Sequence, residues 1–205
     1  MRNIFILTFA FLFCACSGAV NLKTAAQADA APAAKQATSQ PIMGRAVATQ
    51  QQCIAFLKKN NPNLKVKAGY GELVKIYYEE AAREGIRPDL TFAQSLLETN
   101  YFKFGGDVNI KQNNFSGIGA VGGGASGVSF KDVRTGVRAQ VQHLKAYASK
   151  ELPSTKIVDP RFNMVAGNPK LAAAAKTWHD LAGKWAADPK YGDKIILIYN
   201  KLLKE

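Results

Sequence analysis

The chain is short of several things that would place it quickly in a functional class. It holds only three cysteines, Cys14, Cys16 and Cys53. Two lie close together near the start, so no disulfide framework follows, and a core of this size needs none. The two histidines, His143 and His179, are far apart, and neither has Cys, His or carboxylate neighbours at ligand spacing. A zinc motif is excluded on that reading, no metal is expected, and both histidines are assigned structural roles. Glycines are plentiful, yet no Lys-Ser/Thr pair follows them at the spacing of a phosphate loop. Acid is scarce: 15 Asp and Glu face 27 Lys and Arg, a formal charge of +12 and a pI near 9.7. That balance favours a polyanionic partner, and without any recognised nucleic-acid motif it does not point to DNA or RNA.

What is present begins with a leader. Arg2 precedes an apolar run from Ile4 to Phe13, followed by small residues. The run is too short to span a bilayer and fits an export signal over residues 1–18. Phe13-Cys14-Ala15-Cys16-Ser17 resembles a bacterial lipoprotein processing site, which implies Cys16 as the lipidated first residue of a mature, membrane-anchored chain. Ordinary cleavage near Ala19 is the alternative and gives a secreted protein. Residues 19–52 are rich in Ala, Gln, Thr and Ser. They hold too little apolar surface to offset the entropy of ordering, so they read as a tether, with the folded domain over 53–205.

Within the domain, Cys53–Leu57 predicts a short helix that stops at Asn60-Asn61-Pro62. Leu73, Val74, Ile76, Tyr77, Ala81 and Ala82 recur with helical period up to Gly85. Asp89 is the expected cap of a helix from Leu90 to about Tyr101, with Leu90, Ala93, Leu96 and Leu97 on its apolar stripe. Thr91, Gln94, Ser95 and Glu98 fall on the other face, expected to be solvated. From Phe104 to Gly127 there is too much glycine for helix. Helix resumes over about Thr135–Lys150, and Asp188-Pro189 introduces a last helix through Leu202, with Tyr191 in its first turn. No internal repeat is present.

Five motifs in order then carry a specific likeness. Tyr77-Tyr78-Glu79-Glu80-Ala81, Phe92-Ala93-Gln94 with Leu97-Glu98-Thr99, Asn113-Asn114-Phe115-Ser116-Gly117-Ile118, Gly136-Val137-Arg138-Ala139-Gln140, and Trp185 with Asp188-Pro189-Lys190-Tyr191 resemble the bacterial glucosaminidase family of peptidoglycan hydrolases. The resemblance implies a mostly α fold, a lysozyme-like helical domain with a small glycine-rich β lobe. It implies endo-β-N-acetylglucosaminidase activity on peptidoglycan glycan strands, with no cofactor, by a chain expected to act as a monomer at the cell envelope. Glu98 matches the family's general acid and Tyr191 a tyrosine near the cleft. Asn113, Asn114, Phe115 and Ser116 match the substrate-lining segment, with Gln94 and Tyr101 as further substrate contacts. Asn100 departs from the pattern, which often has glycine there.

The chemistry suits these residue types. Glycoside hydrolysis needs a protonated carboxyl beside the leaving oxygen, and an apolar wall raises a glutamate's pKa to keep it protonated. Tyr101, Phe102, Phe115 and Tyr191 are candidates for that wall, with core packing the plainer reading of Phe102 and Phe115. A second carboxylate is expected about 5 to 9.5 Å from the acid, yet Gly119–Lys131 contains none. Asp107 and Asp132 flank the lobe as candidates, and the substrate's own 2-acetamido group is the alternative nucleophile. The competing functions are another bond in the same polymer, by muramidase, lytic transglycosylase or amidase action, and a non-catalytic wall-binding lipoprotein.

Overall fold

A computed structural model describes residues 39–120 and 127–205. The leader, Cys16, the tether up to Thr38 and the tip of the glycine-rich lobe lie outside the described residues. The helices are α1 (Gln50–Asn60), α2 (Gly69–Arg83), α3 (Pro88–Glu98), α4 (Val133–Ala148), α5 (Phe162–Ala166) and α6 (Tyr191–Leu202), with single 3-10 turns at Ile110–Gln112 and His179–Leu181. The fold is mostly helical and lysozyme-like.

Helix α3 is the centre of the packing, in contact with α1, α2 and α6. Its expected limits shift at both ends. Pro88 stands in the first turn, where a missing N–H costs nothing. Asp89 does not cap the helix: its Oδ2 accepts from the backbone N–H of Val47 at 2.8 Å and Ala48 at 3.1 Å and pairs with Arg87 Nη2 at 2.9 Å. At the far end, Asn100, Tyr101 and Phe102 have φ of 48°, 59° and 58°, so the helix stops at Glu98 instead of running to Tyr101. Asparagine tolerates this left-handed turn better than most residues. It tucks Phe102 beneath the helix against Phe92 and Phe115, with ring centroids 5.8 and 5.7 Å apart.

The larger correction concerns the polar stripe of α3. Thr91, Gln94 and Ser95 are fully buried rather than solvated. Three helices cover that face, and each supplies a polar partner, so the stripe is satisfied from within.

The folded part also begins earlier than Cys53. Ile42 is fully buried, and its N–H donates to Lys176 O while its carbonyl accepts from Arg87 N. Met43 bridges Ile86 and Pro41 bridges Thr177, both antiparallel. Trp178 Nε1 adds a bond to Pro41 O at 3.1 Å. One large apolar side chain and a set of backbone bonds hold this stretch, which composition does not register. Cys53 forms no disulfide among the described residues and is buried beside Tyr78, and burial pushes its thiol up to about 12.

Among its described residues the glycine-rich lobe has a 3-10 turn and bends but no strand. Its arms still close on each other, through Val128 N to Ile118 O at 2.9 Å and Phe130 N to Gln112 O at 2.7 Å. The Asn114 amide occupies positions that a ladder partner would take, donating to Ile118 O at 2.9 Å and Val128 O at 3.0 Å. Gly136 lets α4 approach this lobe: a Cβ there would lie 1.8 Å from Asn113 O.

Candidate active site

The end of α3 presents Glu98 beside the first residue of α6 and the Asn114–Gly117 turn. Tyr191 donates its phenolic proton to Glu98 Oε1, and Gln94 Nε2 donates to the Tyr191 oxygen at 2.9 Å. Behind them, Gln140 Nε2 donates to Gln94 Oε1 at 2.9 Å, Ser95 Oγ donates to Gln140 Oε1 at 2.8 Å, and Tyr77 donates to Ser95 Oγ at 2.6 Å. Five buried side chains from α2, α3, α4 and α6 thus form one polar line that ends on the carboxylate. Because each neighbour is held by the next, Tyr191 has little rotational freedom, and Glu98 is met by a donor already in place.

Burial raises the Glu98 carboxyl above the usual carboxylate range, and the hydrogen bonds from Tyr191 and the Trp185 side chain oppose this without cancelling it. The same environment drives Tyr191 well above an ordinary phenol, through its own burial and the adjacent Glu98 charge. Gly117, at φ 70°, brings bare backbone against the carboxylate, since a Cβ there would sit 3.6 Å from Glu98 Oε2. Gly117 and Trp185 both line a cavity of about 200 Å³ that also meets Ser116, His143, Arg161 and Lys184. Ser116 is buried, yet its Oγ has no hydrogen-bond partner among the described residues. An orphaned hydroxyl in such a position is an unused contact of the kind a bound ligand completes.

The remaining residues read from the sequence divide into those at this site and those elsewhere. Gln94 is here, but it holds Tyr191 and is fully buried, so its part is positioning and not the substrate contact expected. Asn114 is also buried; its Oδ1 accepts from Ser116 N at 3.4 Å and Ile118 N at 3.1 Å, which shapes the turn facing Glu98. Phe115 is a core residue with no exposure. Asn113, at φ 49°, donates to Phe130 O at 3.0 Å and lines a different, larger cavity of about 760 Å³. Tyr101 packs on Phe56 of α1, with centroids 6.1 Å apart, and does not line the cavity beside Glu98.

Neither candidate for the second carboxylate stands beside that cavity. Asp132 caps α4, its Oδ1 accepting from Thr135 N at 2.7 Å, and lines the larger cavity with Asn113. Its burial would raise its pKa, but the Thr135 bonds and Lys131 hold it below the ordinary value, as suits a cap. Asp107 is exposed on a bend. Reasoning from sequence placed Trp185 and Gly117 in motifs without giving either a task, and passed over Arg161 and Lys184. It assigned His143 to the structure alone. None of the last three carries a local signal, because each reaches the cavity only through the packing of α4 and the segments around α5 and α6.

Comparison with known proteins adds the following. A family model described as mannosyl-glycoprotein endo-beta-N-acetylglucosaminidase matches residues 74–204. An uncharacterized protein of Borreliella burgdorferi is 38% identical over 163 residues, covering 80% of this chain and 77% of that protein. The crystal structure of a catalytic mutant of S. aureus autolysin E, in complex with the disaccharide NAG-NAM, superposes with a TM-score of 0.50 at 13% identity, over 81% of this chain and 71% of that one. A second structure of autolysin E, with the muropeptide NAM-L-ALA-D-iGLU, gives 0.49 at 14% identity over the same shares.

Proposed function

Because this chain belongs to the glucosaminidase family, we propose that it is a peptidoglycan hydrolase, an endo-β-N-acetylglucosaminidase in which Glu98 is the general acid. The observation that carries the reading is the Glu98 carboxyl itself: raised by burial, met by Tyr191 and Trp185, and set against Gly117, which lines the cavity. A carboxyl so placed holds its proton to higher pH than a solvated one, and as general acid it passes that proton to the glycosidic oxygen as the bond to C1 breaks. The Tyr191 and Trp185 donors then stabilise the carboxylate left behind, at the moment its charge develops. Ser116 Oγ and the bare backbone of Gly117 are the contacts proposed for the sugar, with Trp185 as the aromatic wall. Glycan bound to autolysin E in the crystal supports the choice of substrate class.

Digesting purified peptidoglycan with the wild type and Glu98→Gln, then identifying the new reducing ends by mass spectrometry, tests both halves. We expect N-acetylglucosamine ends from the wild type and a loss of at least about a hundredfold in the variant. N-acetylmuramic acid ends, anhydro ends or free stem peptides would reassign the bond. Binding to sacculi with no released sugar would leave a non-catalytic wall protein.

The leader reading extends the proposal to place: an exported monomer anchored at the envelope by lipid on Cys16. The wild type should partition into detergent and Cys16→Ser into the aqueous phase. Equal partitioning of the two removes the anchor.

A further inference from the structure

The cavity lined by Gly117 and Trp185 is also lined by His143, which belongs to a second polar pair that can do chemistry. His143 Nδ1 lies 2.7 Å from Asp159 Oδ2, and both residues are buried. Asp159 is itself fixed: its Oδ1 accepts from Arg161 N at 2.9 Å, and its backbone N–H donates to Gln142 Oε1 at 3.2 Å. A carboxylate at this distance keeps the imidazole proton on Nδ1 and leaves the lone pair on Nε2. Nε2 has no partner among the described residues, and His143 lines the cavity. Trp185 joins the two polar groups. Its indole meets the His143 ring edge to face, with centroids 4.9 Å apart, and hydrogen-bonds to Glu98.

We propose that His143, oriented by Asp159, is the general base of the reaction. The inference rests on the reading of Glu98 as the acid, and it fills the place left by the missing second carboxylate. Trp185 touches both groups, and the base acts on a water rather than on the sugar itself. In the step, the water oxygen bonds to C1 while Nε2 removes one of its protons. On the other side the C1–O bond breaks, its electron pair stays on the leaving oxygen, and Glu98 protonates that oxygen. The products are a Glu98 carboxylate and a His143 imidazolium, and exchange with solvent restores both. Asp159 balances the imidazolium charge in a cavity that also holds Arg161 and Lys184, with the Tyr147 ring packed 5.3 Å from the imidazole. Attack by water in a single displacement inverts C1, so cleavage of the β bond releases the α anomer first.

That stereochemistry is readable on the unaltered full-length chain. Proton NMR of soluble glycan strands during the first minutes of digestion should show the α anomer of the new N-acetylglucosamine end before mutarotation; the β anomer appearing first overturns the assignment to His143 while leaving Glu98 as the acid. Release of no N-acetylglucosamine end at all defeats the function itself. His143→Ala, checked for native circular dichroism, should lose about a hundredfold or more in kcat with KM little changed, and added imidazole should restore part of it. Activity within threefold of the wild type overturns the proposal. Asp159→Asn acts through His143 and should lower kcat with KM kept, whereas unchanged kcat removes its positioning role.

Discussion

Tyr191 has one hydroxyl proton, and it goes to Glu98; its oxygen is occupied by the Gln94 amide. This saturation makes the tyrosine a one-way donor. Replacing it by phenylalanine removes a bond that lowers the Glu98 pKa and leaves the burial that raises it. The acid is active while protonated and loses activity as pH rises through its pKa, so in Tyr191→Phe the alkaline limb of the kcat/KM profile should move to higher pH. The turnover should fall about tenfold to a hundredfold, because the carboxylate formed on proton transfer has lost a donor. A limb that stays in place, or moves down, contradicts this account. At this scale the sequence shows Glu98, Tyr191 and Ser116, since each lies in a contiguous motif. His143 and Asp159 stay hidden because 16 residues separate them and they meet only across the packing of α4 against the chain leading to α5.

Helix α3 shows how periodicity can be right about faces and wrong about what covers them. Thr91, Gln94, Ser95 and Glu98 do share a stripe, as three- and four-residue spacing requires. The stripe is buried because Tyr77, Gln140 and Tyr191 come from three other helices to satisfy it, and no local pattern announces partners so far away. The segment at Gln40–Ala48 is the mirror case: its composition reads as tether, yet Asp89 and Trp178 both depend on it. A chain starting at Thr49 should therefore lose at least about 3 kcal/mol of unfolding free energy relative to one starting at Ser39. Removing buried Ile42 accounts for much of that, and the stranded Asp89 for more. Urea titration of the two chains measures the difference, and equal midpoints and slopes would return the segment to the tether.

Across the molecule, much of the interior charge is paired between helices α2 and α4. Glu80 meets Arg134 at 2.9 Å and Arg138 at 2.8 Å, and Glu84 meets Lys145 at 2.8 Å. The net excess of base lies largely outside these pairs, as with Lys65, Lys67, Lys111 and Lys131 around the larger cavity. The fold class was legible because helical periods are local, and the lobe because glycine is, while the hydrogen bonds that close its arms depend on Asn114 reaching across a turn. The clasp formed by Pro41 and Met43 has a mechanical side. There the described chain enters the domain between Ile86 and Thr177, through two antiparallel bridges. That point is beside the Arg87 end of α3. The 11 residues of the helix, about 16 Å of rigid rod, stand between this clasp and the carboxylate at its opposite end, so a pull on the clasp is spread along α3 before it reaches Glu98.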